Sequence, residues 1–124
     1  MKILIIDDDP DIRLVIRLTL SDYESITIFE AETKNEALEC VRKESPDVIL
    51  LDYHLESITG DEVLKKILLL PQGEKSKTIF LTAKTSHDLL ESLHKLPIVG
   101  IINKPFDINT FADELFAMVG HPHV

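Results

Sequence analysis

Short apolar runs alternate along this chain with longer segments whose apolar residues recur at helical spacing. KILII, Lys2 to Ile6, is an aliphatic strand that stops at three adjacent acids, Asp7, Asp8 and Asp9. Asp9 is suited to cap a helix with Pro10 in its first turn, running to about Leu20. Ile26 to Glu30 forms a second strand. In TKNEAL, Thr33 and Glu36 match a capping box and open a helix to about Glu44, closed by Pro46. DVILLD, ending at Asp52, is apolar enough to be a strand buried on both faces. A loop leads through Gly60 to a helix over Asp61 to Leu70, and the turn PQGEKSK introduces a fourth strand, TIFLTA. Leu89, Leu90, Leu93 and Leu96 fall at helical spacing between Ser86 and Pro97, and they and ILLL at 67–70 read mostly as core. IVGII is the fifth strand. Asp107 is then expected to cap a last helix with Ile108, Phe111, Leu115 and Val119 on one face and Gly120 as its stop.

Strict strand–helix alternation predicts an α/β fold, an open parallel sheet covered by helices on both faces. Ligands of such sheets bind beyond the C-terminal strand ends, where strand order reverses. The residues at or just past those ends are Asp7 and Asp8, Asp52, Thr82 and Lys104, with Glu30 and Ala31 ending a strand expected at one edge. Carboxylates crowded into one crevice repel one another unless a cation joins them. Mg²⁺ suits oxygen ligands of this kind and is typically shared with a phosphate. An ammonium and a hydroxyl facing that cluster are what a phosphoryl group requires, which makes Asp52 the candidate acceptor. The chain has no glycine-rich phosphate loop, so the phosphoryl group is expected from an outside donor.

Composition narrows the classes further. The 124 residues suit one domain, read as 1–120 followed by a short tail, 121–124. A net charge of −9 argues against direct nucleic-acid binding. The lone Cys40 reads as a small hydrophobe and fits a reducing, cytoplasmic setting, and no apolar run approaches membrane-spanning length.

ILIIDDDP, VILLD, Gly60 eight residues beyond Asp52, LTA and NKPF occur in order, each marking a predicted strand end or the loop beyond it. Together they resemble the receiver domains of two-component response regulators, over essentially the whole chain. The resemblance implies a doubly wound (βα)5, flavodoxin-like sheet of strand order 2-1-3-4-5. It implies that Asp52 accepts a phosphoryl group from a histidine kinase or phosphotransfer protein. Asp7, Asp8, Asp52 and the backbone carbonyl of His54 would hold Mg²⁺, with Mn²⁺ as a substitute, and Thr82 and Lys104 would bind the phosphoryl oxygens. The Lys104–Pro105 bond is often cis in such domains. His54, Ala83 and Lys84 would flank the phosphoryl group and modulate its lifetime.

The chain departs from that pattern at Glu56, where a proline is common, and at Ile101, where an aromatic usually reports activation. Output would pass to a protein target or to an output domain outside this sequence. A dimer through the fourth helix, fifth strand and fifth helix is a further expectation. Two other readings compete: a phosphohydrolase working through an aspartyl phosphate, and a receiver-like module that binds partners without phosphorylation. The first lacks the second acid expected two residues past the nucleophile, where His54 stands. The second leaves the filled acidic, hydroxyl and amine positions without a purpose.

Overall fold

A computed structural model describes residues 1–83 and 86–121. Five parallel strands, β1 (Lys2–Ile6), β2 (Thr27–Ala31), β3 (Val48–Asp52), β4 (Lys77–Thr82) and β5 (Gly100–Asn103), form one sheet in the order β2-β1-β3-β4-β5. Helices α1 (Pro10–Thr19), α2 (Lys34–Glu44), α3 (Gly60–Leu68), α4 (His87–His94) and α5 (Phe111–Val119) follow the strands in turn, with a 3-10 turn at Gly73–Lys75.

The sheet divides two cores. Ile3, Ile5, Leu50, Ile79, Leu81 and Ile102 face α1 and α5, where they meet Ile16, Leu20, Phe111 and Leu115. Leu4, Ile6, Ile49, Leu51 and Phe80 face the other way, toward Val41 of α2, Val63 and Ile67 of α3, and Leu93 of α4. Alternate side chains of a strand point to opposite faces, so covering both faces requires a continuous apolar run. VILLD at the centre is such a run, buried at every position.

Local chemistry sets the helix ends. Asp9 caps α1 by accepting from the Asp11 N–H, with Pro10 in the first turn. Thr33 caps α2 by accepting from the Glu36 N–H, while Glu36 Oε1 accepts from the Glu32 N–H at 2.8 Å, one residue before the cap. Ser45 takes a left-handed backbone to end α2, and Gly120, at φ +92°, ends α5.

Three expectations are corrected. Asp107 does not cap α5: its carboxylate accepts from the Asn109 N–H, its carbonyl accepts from the Thr110 and Phe111 N–H groups, and the helix begins only at Phe111. This turn carries Ile108 off the helical face, and it is 59% exposed. The reading of 67–70 as mostly core holds: Ile67 is buried and Leu68 and Leu70 pack against the same core, while Leu69, just beyond α3, is 78% exposed. Of the leucines around α4, Leu93 is buried, and Leu89 and Leu96 pack at the margin of the same core. Strand β2 also starts one residue late, because Ile26 closes a turn by donating to the Tyr23 carbonyl.

Candidate functional site

The C-terminal ends of β1, β3, β4 and β5 bring the expected residues together. Asp7 follows β1, Asp52 and Thr82 are the last residues of β3 and β4, and Lys104 follows β5. Asp7 and Thr82 have no exposed surface and Asp52 has 5%, so the site is set into the top of the sheet. Carboxylate oxygens of Asp7, Asp8 and Asp52 lie within 4.8 Å of one another.

Lys104, just past the end of β5, reaches into this cluster. Its Nζ donates to Asp7 Oδ2 at 2.7 Å and lies 3.3 Å from Asp52 Oδ1. One ammonium therefore spans two buried acids, which the strand-end reading placed nearby without this bridge. The Lys104 N–H donates to the Thr82 carbonyl at 2.9 Å, tying the β5 loop to the end of β4. The Lys104–Pro105 bond is cis.

Two further backbone donors hold the carboxylates. The Asp9 N–H donates to Asp7 Oδ1 at 2.9 Å, and the His54 N–H donates to Asp52 Oδ1 at 3.1 Å. The His54 ring is exposed and lies edge-on to Tyr53, with centroids 4.9 Å apart. Ala83 is also exposed, whereas Lys84 lies outside the described residues. Ile101, partly buried, packs into the core shared with α4 and so is turned away from the α5 side.

Gly60 is required by space. A Cβ there would come within 2.8 Å of the Asp52 carbonyl oxygen and of Phe80 Cε1. Its N–H donates to the Tyr53 carbonyl at 2.6 Å, so the start of α3 is drawn tightly against the loop after Asp52.

Burial raises the Asp52 carboxyl above its ordinary value and the Asp7 charge adds to the rise, while Lys104 and the His54 N–H oppose it. Burial alone would lower the Lys104 ammonium, but the hydrogen bond and charge of Asp7, together with Asp52, outweigh it and raise the net value. An amine held protonated beside buried acids supplies a fixed cation where negative charge collects. The donor set of the cluster, carboxylate oxygens only, fits a hard divalent ion rather than a thiolate- or imidazole-seeking metal.

One residue of consequence escaped the sequence reading. Arg13, on the first turns of α1, donates from Nη1 to the Asp7 carbonyl at 2.6 Å and from Nε to Glu30 Oε1 at 3.1 Å. Helical periodicity alone presents it as part of a solvated face. The available signal was its place one helical turn beyond the acidic run.

Comparison with known proteins agrees with this geometry. Residues 3–116 match the family described as response regulator receiver domain. The chain is 33% identical over 112 residues to sporulation initiation phosphotransferase F of Bacillus subtilis, covering 90% of this chain and 88% of that protein. It is 26% identical over 115 residues to the chemotaxis protein CheY-3 of Vibrio cholerae, covering 93% and 88%. The solved structure of V. cholerae chemotaxis protein CheY4 superposes with a TM-score of 0.86 at 28% identity, covering 94% of this chain and 97% of that one. Sheet order, buried acidic cluster and family match converge, and the chain belongs to the response regulator receiver domains, the phosphorylatable signalling switches of two-component systems.

Proposed function

We propose that this protein accepts a phosphoryl group on Asp52 from the phosphohistidine of a sensor kinase or phosphotransfer protein, and that the modified form binds its target differently. The observation carrying this reading is the Lys104 ammonium shared between buried Asp7 and Asp52, with Asp8 alongside. Asp7, Asp8, Asp52 and the His54 carbonyl would hold Mg²⁺, or Mn²⁺ in its place. When bound, the ion supplies charge neutralisation for the acids and the incoming phosphoryl oxygens.

The protein's own groups do the rest. Asp52 forms the new P–O bond as the donor's P–N bond breaks, and its elevated basicity favours attack. Lys104 pairs with the phosphoryl oxygens, and Thr82, at the buried end of β4, contributes its hydroxyl. Capture of a group bearing about two negative charges draws the loops after β4 and β5 toward Asp52. The surface of α4, β5 and α5 would carry the readout and is where self-association would occur. With Ile101 in place of an aromatic ring, this readout would rest on displacement of β5 and its loop. His54, Ala83 and Lys84 would govern how long the modification lasts. Hydrolysis would be slow and confined to the protein's own phospho-Asp52, with no turnover of an external substrate.

The test is phosphorylation by acetyl phosphate, followed by intact mass. One phosphoryl group per chain, dependent on Mg²⁺ and absent in Asp52→Asn, is the expected result. Labelling that persists in Asp52→Asn, or none in the wild type, would overturn the reading.

A further inference from the structure

We infer that Arg13 is a positioning residue for the acidic pair: it ties the Asp7–Asp8 peptide to the edge of the sheet and so sets the affinity of the cluster for its divalent cation. The inference rests on reading Asp7, Asp8 and Asp52 as a metal site.

Asp7 is tied on both sides, through the peptide that precedes it and the one that joins it to Asp8. The Asp7 N–H donates to the Ala31 carbonyl of β2 at 3.1 Å, and the Asp7 carbonyl accepts from Arg13 Nη1 at 2.6 Å. That carbonyl shares a planar peptide unit with the Asp8 nitrogen, so fixing its oxygen fixes the plane from which Asp8 departs. Asp8 lies beyond the end of β1 and is only partly buried, so sheet pairing does not orient it. Arg13 is in turn held. Its Nε bonds Glu30, which sits opposite Ile5 on the edge strand, and Arg17 pairs with the other Glu30 oxygen.

A guanidinium presents several donors in a rigid fork, which allows it to grip a carbonyl and a carboxylate together. The Arg13 side chain keeps only 16% of its surface exposed, so it is packed into this position rather than extended into solvent. Glu30 offsets its charge, which leaves Arg13 acting on the acids mainly through geometry. Outer partners of this kind typically change metal affinity by about 10–100-fold.

The experiment is calorimetric titration of the full chain with Mg²⁺, repeated with Mn²⁺, for wild type, Arg13→Ala, Arg13→Lys, Glu30→Ala and the Arg13→Ala/Glu30→Ala double variant. Arg13→Ala should weaken Mg²⁺ binding about tenfold, with phosphorylation by acetyl phosphate restored at saturating Mg²⁺. Arg13→Lys, whose point cation reaches one partner at a time, should fall between. Glu30→Ala should weaken binding less, and the double variant should match Arg13→Ala, because Glu30 acts through Arg13. Affinity in Arg13→Ala within about twofold of wild type would overturn the inference while leaving the metal site standing. Wild type that takes up neither ion would overturn both. Should Arg13→Ala fail to fold, unchanged affinity in both Arg13→Lys and Glu30→Ala is equally decisive against it.

Discussion

Replacing Asp52 with Asn should make the metal-free protein more stable, although it removes the residue on which the proposed activity depends. Asn is nearly isosteric and its amide oxygen can still accept from the His54 N–H, so the change is chiefly one of charge. Asp52 lies within 4.8 Å of carboxylate oxygens of both Asp7 and Asp8. At an effective dielectric of about 20, Asp7 at 4.8 Å or less repels by about 3.5 kcal/mol. Lys104 at 3.3 Å returns about 5 kcal/mol by the same relation. Desolvation of the buried charge, the largest cause of the raised carboxyl, costs several kcal/mol per ion and leaves about 2 kcal/mol unfavourable. Unfolding entropies near 2.1 cal/mol/K per residue convert this to a rise in Tm of about 8 °C for a chain of this size.

The pH dependence has a definite sign. Because the folded carboxyl titrates above its unfolded value, wild type is relieved of the penalty below the unfolded value of about 4. It incurs the penalty as pH rises through the elevated folded value. The advantage of Asp52→Asn should therefore be full near neutrality and vanish toward about pH 4. Thermal and urea unfolding with a chelator, at neutral and acidic pH, measures it. Saturating Mg²⁺ should narrow or reverse the order, since only wild type keeps all three acids. A variant less stable than wild type at neutral pH in chelator would refute the charge-crowding argument.

Other outcomes follow from the same geometry. Lys104→Met leaves buried Asp7 and Asp52 without their shared cation and should cost the metal-free protein about 3 kcal/mol; an unchanged urea midpoint would count against the bridge. Gly60→Ala drives a methyl against the Asp52 carbonyl and Phe80, at a cost of about 1–3 kcal/mol, visible in the same urea titration. His54→Asn retains the backbone N–H bond to Asp52, so Mg²⁺ affinity should stay level while the decay rate of phospho-Asp52 changes; an unaltered rate between pH 5 and 8, where His ordinarily titrates, removes His54 from the modulators.

Much of the site was legible because parallel topology converts strand ends into neighbours. Once the apolar runs were placed, Asp7, Asp52, Thr82 and Lys104 fell at one end of the sheet, and the strand order that the resemblance implies made them neighbours. The boundaries of α5 were not legible in this way. Asp107 has the composition of a helix cap and an apolar periodic segment after it, but its side chain serves a local turn, and Asp is equally at home in either. Leu69 followed the helical pattern but lies just past the last turn of α3. Arg13 was hidden for another reason: its partners, Glu30 and the Asp7 carbonyl, are defined by the meeting of α1 with two strands. Sequence periodicity shows which face a residue occupies, but not which distant acceptor waits there.

The bond from Lys104 to Asp7 joins residues 97 positions apart, and this bears on synthesis. A ribosome releases the acids and the first four strands well before the lysine. A nascent chain ending near Val99 could pair β1 through β4 with no ammonium yet available to lie between Asp7 and Asp52. Docking of the strand tops in such an intermediate would be opposed by their own charge until β5 emerges or an ion arrives from the surroundings. The charge balance of the acidic cluster is thus complete only once the loop after β5 is in place.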